Sequence, residues 1–343
     1  MDSSDSGSSN EDLSLIERIT DLNNNGIKFA CASPPDYDCA FALHQEAAGL
    51  AQSNPELNPD YLAFSIANIG YARRRRGDPR KEVKGLLEDT LNTTIAFMSL
   101  WANADGSRRE TKAGRARLLE EIGLVRRYSP DQGDLSGDLK TALNNLEDAV
   151  RLYASAISQP EAEIISLDKL QSRKLRCIGV ASTIATEISR VVPEAKITPY
   201  LEMAVSYAQD ELSGRLQAGE QSGFNLANAY HTLGVAQSEL AGEKKDYYDS
   251  AKENFSLARQ LSQEAGDPMT VSVLSFREAW LEYKKDYSGT ESIRPHLALV
   301  LEYQKDEKTY WNSAVRKAIQ PQMQLLTAAV GGAEQAEIEG WYK

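Results

Sequence analysis

Three histidines and three cysteines are the side chains through which this 343-residue chain could do nucleophilic or metal chemistry. His44, His231 and His296 fall on separate helical segments, and none is accompanied by a Ser or Cys in a nucleophile motif, so no catalytic set is assembled. Cys31, Cys39 and His44 give a C-x7-C-x4-H spacing that matches no zinc pattern and lacks a fourth ligand. Asp131-Gln132-Gly133-Asp134 lacks the alternating oxygen ligands and terminal Glu of a calcium loop. Neither G-x-G-x-x-G nor G-x-x-x-x-G-K-[ST] occurs, so nucleotide binding has no support. The expectation is a protein without enzymatic activity, metal or cofactor.

Charge is the more informative chemistry. The chain carries a net −12, yet residues 71–130 hold fourteen Lys and Arg against eight Asp and Glu, a local +6 that leaves −18 elsewhere. Much of that positive charge is arginine, as in Arg73 to Arg76, Arg115, Arg117, Arg126 and Arg127. The guanidinium fork suits carboxylate or phosphate. Arginines close to helix C-termini also offset the macrodipole, so a solvated face stays open beside a binding face. The overall acidity argues against nucleic acid and anionic membranes as partners. A chain positive in one region and negative elsewhere can also associate head to tail.

These side chains must be held by a scaffold, and the composition names its class. Apolar residues make up 41% of the chain, charged residues 26%, and there are 12 prolines, which suits a folded domain. The three scattered cysteines point to a reducing compartment. No run of about 20 apolar residues occurs, so no membrane insertion is expected. The beginning MDSSDSGSSNEDL has no basic n-region or apolar core of a leader. A cytoplasmic location is expected, with residues 1–10 a disordered tail.

An apolar-Gly pair recurs at Ile69-Gly70, Ile122-Gly123, Ile178-Gly179 and Leu233-Gly234, with Gly-to-Gly spacings of 53, 56 and 55. Each pair sits within a segment of helical period. Glycine inside a helix costs about 1 kcal/mol against alanine, so its return at one place per segment predicts close helix packing. Each segment is followed by a break, at Gly77-Asp78-Pro79, 129–133, Val192-Pro193-Glu194 and Ala241-Gly242-Glu243, and then by a second amphipathic run. The runs include Leu86, Leu87 and Leu91, then Leu139, Leu143 and Leu146, then Leu201, Ala204 and Ala208, then Ala251, Phe255 and Ala258. Helix hairpins are predicted throughout, with no sheet. Asn23-Asn24-Asn25-Gly26 and Ser33-Pro34-Pro35 read as loops.

These residues resemble the tetratricopeptide repeats. In the fourth unit Tyr230, Leu233 and Gly234 match the family's first helix, Ala251, Phe255 and Ala258 its second, and Gly266-Asp267-Pro268 the turn to the next repeat. Ile122, Gly123, Ala142, Leu146 and Ala149 keep the same order in the second unit, and Phe276, Ala279, Trp280 and Tyr283 suggest a fifth first helix. The period here exceeds the family's 34 residues, through longer helices and loops. The resemblance implies an all-α, right-handed solenoid of antiparallel helix pairs over 56–305. An N-terminal helical cap over 11–55 and a C-terminal capping helix and tail over 306–343 complete it.

The resemblance also implies a concave groove lined by fixed first-helix positions. Mapped here, they place Tyr71, Arg74, Arg117, Arg127, Arg173, Arg176, Asn228 and His231 on that groove. Glu120, three residues after Arg117, would neutralise part of that charge. The expected function is a protein-protein interaction module, an adaptor or scaffold that captures an acidic or C-terminal peptide segment. A peptide-responsive signalling regulator would share the scaffold, and an RNA- or DNA-binding module would use the same 71–130 region.

Overall fold

The structure is a computed structural model. It describes residues 8–54, 57–98, 112–128, 134–158, 165–220, 222–285, 290–304, 322–326 and 328–330. Every regular element among them is helical. In chain order these are α1 (Ser8–Ala30), α2 (Tyr37–Ser53), α3 (Asp60–Arg76), α4 (Arg80–Met98), α5 (Ala113–Tyr128) and α6 (Leu135–Ser158). α7 (Leu167–Ser189), α8 (Ile197–Gln217), α9 (Phe224–Leu240), α10 (Tyr247–Glu264), α11 (Pro268–Lys285) and α12 (Thr290–Gln304) follow. Successive helices pack as neighbours through α1 to α6 and again through α8 to α12. The expected break at 129–133 lies outside the described residues.

The chain forms two compact units, Met1–Val180 and Ala181–Lys343, and the boundary falls inside α7. In the first unit, Ile19, Ala47, Leu62 and Ile69 join α1, α2 and α3. Val83, Leu87, Leu118 and Ile122 then carry the core through α4 and α5. In the second unit, Leu201, Ala204, Leu233 and Leu240 join α8 and α9, and Phe255, Ala258, Leu274 and Leu281 join α10 and α11. Each such Leu contributes about 1.5–3 kcal/mol through burial.

Three of the four recurring glycines, Gly70, Gly123 and Gly234, do what their spacing predicts. A Cβ on Gly70 would lie 2.8 Å from Leu87 Cδ2, and one on Gly234 would lie 2.7 Å from Phe255 Cδ1. On Gly123 it would meet Leu146 Cγ at 3.1 Å and the Ala142 carbonyl at 3.2 Å. Each glycine therefore lets the second helix of its own hairpin approach the first. Gly77 and Gly266 serve a different purpose, ending α3 and α10 at φ 92° and 67°, where other residues are strained.

Two expectations change. Asn23 to Gly26 are not a loop but lie inside α1. Asn23 is tied to the Ile19 carbonyl and to Ser65, and the His44 ring covers Gly26, so local turn propensity is overridden by packing. Of the expected tail, residues 8–10 belong to α1, and 1–7 lie outside the described residues. Of the C-terminal cap, 322–326 and 328–330 are helical, and Met323, Leu326 and Val330 pack against α11 and α12.

Candidate recognition site

Sequence places Arg117, Glu120 and Glu121 within two turns of α5, and packing buries all three. Glu121 accepts from Arg74 Nε at 2.6 Å and from Arg117 Nη1 at 3.2 Å. Glu120 Oε2 accepts from Tyr153 Oη at 3.0 Å and from Arg173 Nη1 at 3.3 Å. Arg117 Nη1 stands 3.6 Å from Glu120 Oε2, and Arg176 Nη1 stands 3.8 Å from Oε1. Arg74, Arg117, Arg173 and Arg176 thus surround two carboxylates, leaving two positive charges in excess.

Burial alone would raise the Glu120 carboxyl, but the charges of Arg117, Arg173 and Arg176 and the Tyr153 hydroxyl outweigh it and hold it at about 2. Glu120 therefore stays ionised at neutral pH. Burial, reinforced by the Glu120 charge, pushes the Tyr153 phenol and the Cys177 thiol well upward, so neither offers an anion for chemistry. The Arg74 guanidinium lies 5.6 Å from the Tyr71 ring centroid and 5.5 Å from that of Tyr128, with Arg127 4.9 Å from the latter. One chain of contacts therefore joins six of the eight expected groove residues. Asn228 and His231 belong to the second unit, on α9, where Asn228 is exposed.

Beside this cluster lies a recess of about 350 Å³. Asn23, Asn24 and Ile27 line it from α1, and Tyr61, Phe64 and Asn68 from α3. Lys169 and Arg173 reach it from the first turns of α7. Its amides donate and accept, its aromatic walls offer apolar contact, and both of its charges are positive. Among the described residues the lining contains no carboxylate, thiol or histidine. Arg173 belongs both to the recess and to the arginine cluster.

The recess wall is held by a part-buried hydrogen-bond set. His44 Nδ1 lies 2.9 Å from Asn23 Oδ1, and Asn68 Nδ2 donates to the same oxygen at 3.4 Å. Asn23 donates to Ser65 Oγ at 2.8 Å. Burial, and then the Arg117 charge, lower the His44 pKa to about 4, so its neutral ring donates from Nδ1 to Asn23. The folded value lies below the unfolded one, so the contribution is full above about pH 6.5 and is lost as pH falls toward 4. Acidification across that window should cost about 3 kcal/mol of stability. Denaturant unfolding of the wild type and His44→Gln at pH 7 and pH 4 checks this. The wild type should lose that increment more than the variant, and parallel losses would assign the acid sensitivity to other groups.

Of the recess residues, Asn23, Asn24, Asn68 and Lys169 were not identified from the sequence. The only signal was polar residues repeated in α1 and α3 at helical spacing. Among the described residues no group of three His, Cys, Asp or Glu side chains is placed to hold a metal ion. No described helix is long and apolar enough to cross a membrane.

No family model matches the chain, and no curated protein is detectably similar in sequence. Among solved structures, the chain is similar to the crystal structure of BtubC (BKLC) from P. vanneervenii, with 16% identity and a TM-score of 0.49. That match covers 89% of this chain and 92% of the other. At that distance it says nothing of what this chain binds.

Proposed function

We propose that this protein is a non-enzymatic interaction module that captures an acidic protein segment in its first unit. The helix pairs of that unit stack in the right-handed, tetratricopeptide-like manner, and their first helices face the segment. The observation that carries this reading is the joint position of Arg173, which lines the recess and belongs to a cluster with two positive charges in excess. A carboxylate of the bound segment meets Lys169 and Arg173, while neighbouring amides of Asn24 and Asn68 orient its backbone. Tyr61 and Phe64 supply apolar contact. Positive charge at the rim raises the encounter rate, and the part-buried polar wall gives specificity.

The probe is a fluorescently labelled hexaglutamate peptide, followed by anisotropy with the full chain. Lys169 is exposed, so Lys169→Glu leaves the core intact. It should weaken the peptide about tenfold, whereas Lys252→Glu in the second unit should change little. Equal affinity in both variants would reject the recess as the binding surface.

A further inference from the structure

The second unit holds a separate cluster of cations that the acidic-segment reading does not use. Glu239 on α9 accepts from Arg190, in the turn after α7, at 2.7 Å and from Lys284 of α11 at 3.2 Å. Arg277, seven residues before Lys284, lies on the same face of α11, which packs against α9. Its charge and those of Arg190 and Glu239 act on one another. Arg190 and Lys284 therefore share one carboxylate and Arg277 adds a third cation, an excess of two positive charges among these four residues of a single unit.

Two donors in this cluster are unspent. Arg277 Nε is buried with no hydrogen-bond partner among the described residues, and Arg277 forms no ion pair there, its guanidinium lying 5.7 Å from the Phe276 ring centroid. His231 Nε2, on α9, is likewise buried without a partner. Leaving a buried donor unsatisfied costs about 1–3 kcal/mol. Burial, followed by the Arg277 charge, lowers the His231 pKa to about 3, so the ring is neutral at pH 7 and can present an Nε2–H. Burial and the Arg190 charge also hold Arg277 below the usual arginine range. A bound anion relieves both strains at once.

We infer that Arg277, His231, Arg190 and Lys284 form a site for a doubly charged oxyanion of the phosphate type, whose oxygens accept from the Arg277 fork and from His231 Nε2. The excess of two positive charges matches a phosphate monoester better than a single carboxylate. The Arg277 guanidinium supplies the directed, paired donors that such a group takes. Glu239 holds Arg190 and Lys284 in place while the site is empty. The site shares no residue with the recess of the first unit, so either can fail without the other.

The test titrates the full chain with inorganic phosphate at constant ionic strength, chloride making up the balance. The three histidine rings are followed by carbon-proton correlation spectra. One ring signal should move saturably, and His231→Gln should remove that signal. Arg277→Gln should weaken phosphate about tenfold, with Arg277→Lys intermediate. Glu239→Gln raises the excess charge and should tighten phosphate, a gain that misfolding cannot produce. Acetate at the same concentrations should leave the signal nearly still.

A short phosphoserine peptide separates the two sources of such a group. Binding tighter than inorganic phosphate assigns the site to a phosphorylated segment, and equal or weaker binding assigns it to a free phosphate compound. Absence of a saturable shift would overturn the inference. So would an unchanged affinity in Arg277→Gln with native circular dichroism, weaker binding in an equally folded Glu239→Gln, or acetate binding as tightly as phosphate.

Discussion

Glu120→Ala should lower the unfolding free energy by about 3–5 kcal/mol, because it strips a buried counter-charge from arginines that remain. Glu120 has 2% side-chain exposure, and Arg117 beside it has 4%. Without Glu120, the Tyr153 hydroxyl also loses its acceptor in a buried setting. Arg117 would keep Glu121 at 3.2 Å, but Arg173 and Arg176 would keep none of the partners described here. Glu120→Gln is the informative companion, since it retains an acceptor for Tyr153 while removing the charge. Denaturant unfolding should place Gln between wild type and Ala. A loss below about 1 kcal/mol for Ala would mean that water already screens these arginines.

The second large effect concerns Phe255. Phe255→Ala should cost about 3–5 kcal/mol, the usual penalty for emptying a fully buried aromatic site. The ring is 0% exposed and packs with Ala251, Ala258, Leu274 and Leu281. It also lies directly against Gly234, where a Cβ would stand 2.7 Å from two ring carbons. Gly234→Val should cost about 1–3 kcal/mol through overpacking. The double variant should cost less than the two single losses combined, since the valine fills part of the space the ring vacates. Additive losses in the double variant would show that the glycine is not there for Phe255.

That glycine is also where the sequence spoke most clearly. A helix-breaking residue that returns every 53 to 56 positions between apolar neighbours has a packing reason, and Gly70, Gly123 and Gly234 each meet the second helix of their own hairpin. Helix pairing was legible because it follows from local period and turn chemistry. The division at Val180–Ala181 was not, since it cuts through α7 without any change of composition.

The site was legible in its cations and illegible in its walls. Arg74, Arg117, Arg173 and Arg176 gather around Glu120 and Glu121, and Arg117 is buried among carboxylates rather than presented at a surface. Glu120 was foreseen as a partner, whereas Glu121 and Tyr153 depend on which faces of α3, α5 and α6 meet. Asn23 and Asn24 sit in a stretch whose asparagines and glycine favour a turn. That stretch is helical with His44 over Gly26 and Ser65 beside Asn23. Arg277 was missed for a related reason: its charge stands out only once α9 and α11 are seen to pack together.

The most direct test of acidic-segment capture watches the recess itself. The full chain, labelled with nitrogen-15 at asparagine, is titrated with unlabelled hexaglutamate while the side-chain amide signals are recorded. The signals of Asn23, Asn24 and Asn68 should shift together and saturate, while exposed Asn144 on α6 stays still. Saturable shifts confined to Asn228 on α9, with the recess asparagines silent, would contradict the account and move the binding surface to the second unit.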